Sequence, residues 1–472
     1  MQTTQLTSHI NAFWDREILP ALQAYIRIPN ESPLFDPDWQ THGHMQRAVA
    51  LVADWIRRQQ VPGGKLEVLQ DGDRTPLLLL EFPGDVSDTV LMYGHLDKQP
   101  PMVGWRADLD AWTPHLDADG RLYGRGAADD GYAVFAALAT VKAMKDHGQR
   151  HGRIVILIEC SEESGSCDLP HYIDTYAERL GTPSLVICLD SGCGNYEQLW
   201  STTSLRGLTT LTLTVEVLRE GVHSGLAGGV VPSPFMIVRQ LLDRLEDAHT
   251  GALRLRELHV PIPDERIRQA AKAAAVLGGA IVDDFPMLEN VHVLAEDPVE
   301  LLLNNSWRPA LTITGQEGMP SVVQGGNVLL PRLSYKLSLR LPPTLKADQA
   351  TAAVTRVLET NPPFGARVTV TGSGADGWNA PPLAPWLAGV TDASSLEFFG
   401  KESCALGLGG SIPFMAMLGE RFPQAQFLIT GVLGPHANAH GPNEFLHTPY
   451  AKKLNGCLVR VVEAHYRQAT QG

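Results

Sequence analysis

Acidic and histidine residues recur just past short apolar runs, and this placement limits the folds open to the chain. Leu77–Phe82, Thr89–Tyr93, Arg153–Glu159 and Ser184–Asp190 are near-continuous runs of Val, Ile and Leu. Such runs suit strands covered on both faces, as in an α/β sheet. The stretch Ala133–His147 reads as a helix closed by Gly148. Gly94-His95-Leu96-Asp97 follows one strand, Glu162-Glu163 another, and Asp190 closes a third. Asp129-Asp130 lies in a Gly-rich turn just before the helix, and Asn438 to Glu444 follows the last strand, Gln424–Val432. Ligands of open α/β sheets bind beyond the carboxyl ends of the strands, so these five clusters are expected to converge.

The pattern changes after Trp200. Leu208–Val217 and Arg332–Leu341 alternate like strands with one face in solvent, and Arg367–Thr371 is a shorter one. Pro234–Ala248 and Glu265–Leu277 are the helices expected with them, and Gly372–Pro385 reads as a linker. Tyr450–His465 is the expected final helix. The chain therefore reads as an α/β domain with a mainly parallel sheet flanked by helices, interrupted by an inserted α+β domain. The expected boundaries are 1–205 and 381–472 for the first and 206–380 for the insertion.

Composition removes several functions. Thirty-eight Lys and Arg stand against 52 Asp and Glu, a net charge of −14, which disfavours nucleic acid or an anionic membrane as partner. No apolar run approaches the roughly 18 residues of a membrane span. The amphipathic start (Leu6, Ile10, Phe13, Trp14, Ile18) fits a helix of the mature fold rather than a secretory signal. Six cysteines without a C-x-x-C pair suit a reducing, cytoplasmic setting.

Each cluster alone has an ordinary structural explanation: a surface histidine, helix-capping acids, a solvated loop pair or a turn. Gathered at one edge, unpaired carboxylates would repel one another, and divalent metal removes that cost. Nitrogen and oxygen ligands of this kind suit zinc, with manganese or cobalt as alternatives. Rival chemistries lack their motifs. Gly409-Gly410-Ser411-Ile412-Pro413 has no final glycine for a nucleophile elbow, and Gly124-Arg125-Gly126 lacks the third glycine of a dinucleotide loop.

Taken in order, Gly94 to Asp97, Leu122 to Asp130, Glu162 to Ser166, His223-Ser224-Gly225, Gly409 to Pro413 and Ala439 to Glu444 resemble the carnosinase-like dipeptidases of the dinuclear zinc peptidase family. That family also holds glutamate carboxypeptidase, aminoacylase and succinyl-diaminopimelate desuccinylase. The resemblance implies two divalent ions per chain, most simply zinc. Asp129 would bridge them, His95 and Asp190 would complete one shell, and Glu163 and His440 the other, with His436 the competitor for the last place. A metal-bridging hydroxide would hydrolyse an amide bond of a dipeptide or short peptide with a free carboxylate, Glu162 serving as general base and acid. Asp97 would orient His95. A deacylase of N-acyl amino acids is the alternative reading, and a non-catalytic metal-binding relative the minor one.

The same resemblance implies that the insertion is a lid and dimerisation domain. His223 would then reach a neighbouring subunit's site in a homodimer, with Arg340, Asn327, Gly409, Gly410 and Ser411 around the substrate. Two positions depart from the family pattern: Gly131-Tyr132 follows the Asp-Asp pair, and Gly407-Leu408 precedes Gly-Gly-Ser.

Overall fold

The computed structural model describes residues 1–410 and 412–471. The chain divides into two compact units: Met1–Thr203 with Ala380–Leu406 and Met417–Gly472, and Ser204–Asn379 with Gly407–Ala416. Residues 407–416, expected with the returning segment, thus group with the second unit. Among the described residues no helix is long and apolar enough to cross a membrane.

The first unit is built on a mixed sheet. Its strands run in the order Lys65–Leu69, Leu77–Phe82, Gly152–Glu159, Val86–His95, Pro183–Cys188 and Gln426–Ile429. The four from Gly152–Glu159 to Gln426–Ile429 are parallel neighbours, while the first two strands and Thr202 opposite Ile429 pair antiparallel. The parallel strands are the near-continuous apolar runs, and they are almost wholly buried. Two expected strands are shorter than the sequence suggests. Pairing stops at Cys188, which leaves Asp190 in the turn beyond, and the last strand spans only Gln426–Ile429.

Helices Thr3–Phe13, Tyr132–Asp146 and Thr448–Gln471 pack together, the last running past both ends of the expected Tyr450–His465. The amphipathic residues Leu6, Ile10, Phe13, Trp14 and Ile18 are all buried. Buried Asn455 ties the last two helices to the residue after the first: it accepts from Trp14 Nε1 at 2.9 Å and donates to Ala136 O at 3.1 Å and Thr140 Oγ1 at 2.8 Å.

The second unit carries a four-stranded antiparallel sheet in the order Ala310–Glu317, Arg332–Leu341, Gly207–Glu216, Arg367–Ala375. Leu211, Leu213 and Val215 point into its core, as the alternation requires, each worth roughly 1.5–3 kcal/mol on full burial. The covering helices are Pro234–Asp243, five residues shorter at its end than expected, and Ala347–Glu359, which the sequence reading missed. Glu265–Leu277 is helical but packs on Pro298–Ser306 instead. The expected linker begins as strand: Gly372–Ala375 continue the ladder and Trp378–Asn379 pair with Leu205 and Ser204. Its glycines serve close packing, since a Cβ at Gly372 would lie 2.1 Å from Thr210 O.

Candidate metal centre

The parallel strands deliver their chemistry at one edge. His95 is the last residue of Val86–His95, and Glu162 opens a single 3₁₀ turn three residues beyond Glu159. Asp129 sits in the tight turn before helix Tyr132–Asp146, Asp190 two residues past Cys188, and His440 in the loop after Ile429. A Cβ at Gly94 would meet Ala133 Cβ at 2.5 Å and Asp130 Oδ2 at 2.7 Å. Only glycine lets this strand end and the helix start approach so closely.

The side chains form two groups that share Asp129. One is His95, Asp129 and Asp190; the other is Asp129, Glu163 and His440. Asp129 Oδ1 lies 3.3 Å from His95 Nε2, and its Oδ2 lies 3.1 Å from His440 Nε2. His95 Nε2 is 3.8 Å from Asp190 Oδ2, and His440 Nε2 is 3.3 Å from Glu163 Oε2. His436 belongs to neither group.

Two buried atoms test whether metal fits. His95 Nε2 and Glu163 Oε1 have no hydrogen-bond partner, although both face a cluster of acids. A buried polar atom left unpaired is costly, and a cation at each group would satisfy it. Three carboxylates bring −3 and the two imidazoles are neutral as ligands, so two divalent ions suit the charge. These residues fit divalent metal.

The electrostatics agree. Burial and the charge of Asp129 push Glu163 up to about 8, and burial pushes Asp190 up to about 6. Burial would lower His440, but its hydrogen bond to Asp129 and the charge of Glu163 carry it up to about 9. Asp129 is also desolvated, yet the neighbouring imidazoles of His440 and His95 hold it below the usual carboxylate range. Half-buried Glu162 lies beside them. Desolvation, then the charge of Asp190, pushes its carboxyl well above the usual range.

Several supporting residues escaped the sequence reading. Gln99 Nε2 donates to Glu163 Oε2 at 2.6 Å. Buried Asp130 accepts the His95 backbone N–H at 3.2 Å. Tyr132, one of the departures from the family pattern, is buried and donates to Leu189 O at 2.5 Å, next to Asp190. Arg125 and Glu444 form a buried ion pair at 2.7 Å. Asp97 does more than face His95: its carboxylate also accepts the backbone N–H groups of Glu162 and Glu163. The only signals for these residues were their places inside or beside the quoted motifs.

The remaining expected residues belong to the second unit. His223 is exposed, in a two-residue ladder opposite Val328, and Asn327 O accepts the Ser224 N–H at 2.9 Å. Arg340 lies in the strand Arg332–Leu341, opposite Leu208 and Ala310. Buried Arg206 donates to Gly409 O at 3.2 Å, and burial with the charge of Arg340 lowers it to about 10. Gly410 follows directly, and Ser411 lies outside the described residues.

A model of peptidase family M20/M25/M40 matches residues 91–464. The chain is 28% identical over 388 residues to a cysteinylglycine-S-conjugate dipeptidase of Corynebacterium striatum, covering 79% of this chain and 80% of that protein. It is 27% identical over 487 aligned positions to the human Beta-Ala-His dipeptidase, covering 95% and 91%. The crystal structure of human carnosine dipeptidase 1 superposes with a TM-score of 0.77 at 23% identity, covering 98% of each chain, so the fold is shared.

Proposed function

The chain belongs to peptidase family M20/M25/M40 and is a metal-dependent peptidase, and we propose that it is a dipeptidase with a dinuclear centre. One observation carries the proposal: the two oxygens of Asp129 face different histidines, His95 and His440, at 3.3 and 3.1 Å. A carboxylate so placed would bridge two ions. His95 and Asp190 would hold one and Glu163 and His440 the other, most simply as zinc. Bound there, the pair would polarise the scissile carbonyl and lower the pKa of a nucleophilic water.

This chain's residues do the rest. Glu162, beside both groups but in neither, takes the proton of the attacking water on its carboxylate and passes it to the leaving amine nitrogen. Asp97 fixes the ring of His95 and the turn that carries Glu162. The inserted domain, 206–380 on our reading, supplies the substrate's surroundings. Arg340 and Asn327 would stand around the substrate, together with Gly409, Gly410 and Ser411. His223 would serve the site of a second copy by donating to the oxyanion. The cytoplasmic assignment rests on six free cysteines, five of them buried.

The names of the relatives point to Cys-Gly conjugates and β-Ala-His as first substrates to try. The test is a panel of dipeptides, tripeptides and N-acyl amino acids given to the metal-loaded protein. Dipeptides should be cleaved fastest. Preference for N-acyl amino acids would make the chain a deacylase, and no hydrolysis at all would leave a metal-binding relative.

A further inference from the structure

Arg125 and Glu444 are separated by 319 residues in sequence, yet they meet at 2.7 Å with side chains 1% and 0% exposed. Both side chains are shielded from bulk solvent, so their polar atoms turn to protein partners. The partners are backbone groups of three segments, two of them the loops that carry the pair itself. Glu444 Oε1 accepts the N–H of Ala128 at 3.0 Å and of Asp129 at 3.2 Å, and its Oε2 accepts the N–H of Gly126 at 3.1 Å. Arg125 donates through Nη2 to Gly441 O at 2.7 Å and through Nε to Pro100 O at 3.0 Å. Each charge therefore grips the chain beside a proposed ligand: Glu444 at Asp129 itself, Arg125 at the residue after His440.

Charge-assisted bonds of this kind are short and directional, and at a site this buried they resist displacement. Two loops from distant parts of the chain are thereby cross-linked at a fixed separation. On the metal reading given above, those loops carry the bridging carboxylate and the imidazole of one ion only. Asp190 hangs from a different turn, and His95 is fixed by Asp97 and by the Asp130 carboxylate. We propose that the Arg125–Glu444 pair is a positioning device that sets the distance between Asp129 and His440. It thereby fixes the affinity of the ion held by Glu163 and His440, with little effect on the ion held by His95 and Asp190.

Zinc titration of metal-stripped protein against a chromophoric chelator tests this without reference to activity. Glu444→Gln should weaken one of two zinc ions about 10–100-fold, the usual effect of removing a partner that orients a ligand, and leave the other within about threefold. Because Glu444→Gln strands a buried guanidinium, the double variant Arg125→Gln/Glu444→Gln is titrated too, and should behave alike. Adding Glu163→Gln to Glu444→Gln should remove the weakened ion and leave the other within about threefold, since both act on the same ion, whereas adding Asp190→Asn should weaken both ions. Unchanged affinities in folded variants, or equal weakening of both ions, would overturn the proposal while leaving the dinuclear reading intact. A wild-type chain that binds no zinc would remove the reading on which it rests.

Discussion

The backbone N–H of Glu163 donates to Asp97 Oδ2 at 2.9 Å, and that of Glu162 donates to Asp97 Oδ1 at 3.1 Å. Ser32 Oγ adds a third bond to Oδ2 at 2.7 Å. The same residue lies against His95 Nδ1, 3.1 Å away through its carbonyl and 3.4 Å through its carboxylate. One fully buried aspartate thus joins a strand end to the turn carrying the proposed proton carrier and a proposed ligand.

Asp97→Asn turns one acceptor into an NH2 group aimed at a backbone N–H. The metal-free protein should lose about 1–3 kcal/mol, the cost of leaving a buried donor unpaired. Urea unfolding of stripped wild type and variant measures it. An unchanged midpoint would mean that Asp97 does not hold the turn.

Metal binding should release protons and strengthen with rising pH. Glu163 at about 8 and His440 at about 9 are still protonated at pH 7 in the metal-free protein, and Asp190 at about 6 joins them below neutrality. A cation must expel these protons, so apparent affinity falls as pH drops from 9 to 6. Calorimetry in buffers of different ionisation enthalpy reads the release directly. No buffer dependence at pH 7 would contradict the ligand set.

Adjacent glutamates should part company. Glu162→Gln is expected to keep its metal yet lose on the order of 10²-fold or more in turnover, the scale of general acid–base catalysis. Glu163→Gln should instead lose metal. Elemental analysis alongside initial rates separates the two, and variants that behaved alike would refute the division of roles.

For His223 the expectation is intact metal content with turnover reduced roughly 10²–10³-fold in His223→Ala. Refolding a mixture of Glu162→Gln and His223→Ala chains should restore part of the activity, because a hybrid dimer contains one complete site. Hybrids that form and stay inactive would show that His223 does not act across an interface.

Much of the site was legible because its residues follow strands with a strong pattern of their own. The clusters that hold His95, Asp129, Glu163, Asp190 and His440 could be expected at one sheet edge from local runs, while the choice among their members rested on the family resemblance. The Arg125–Glu444 pair could not, since nothing within 319 residues of intervening chain signals that a buried arginine will meet that glutamate. Nor could the use of Asp97 by the Glu162–Glu163 turn, because a backbone donor has no residue type. In the second unit, helix Ala347–Glu359 was missed because alanines form much of its buried face, Ala347, Ala350 and Ala353 among them. Gly372–Ala375 looked like a linker because glycine marks both flexible chain and tight strand packing.

The central claim is that Asp129 joins two ions, and metal stoichiometry after zinc reconstitution tests it most directly. Wild type should bind two ions per chain, His440→Ala one, and Asp129→Ala neither with appreciable affinity. One ion in wild type, or two retained by Asp129→Ala, would contradict the account.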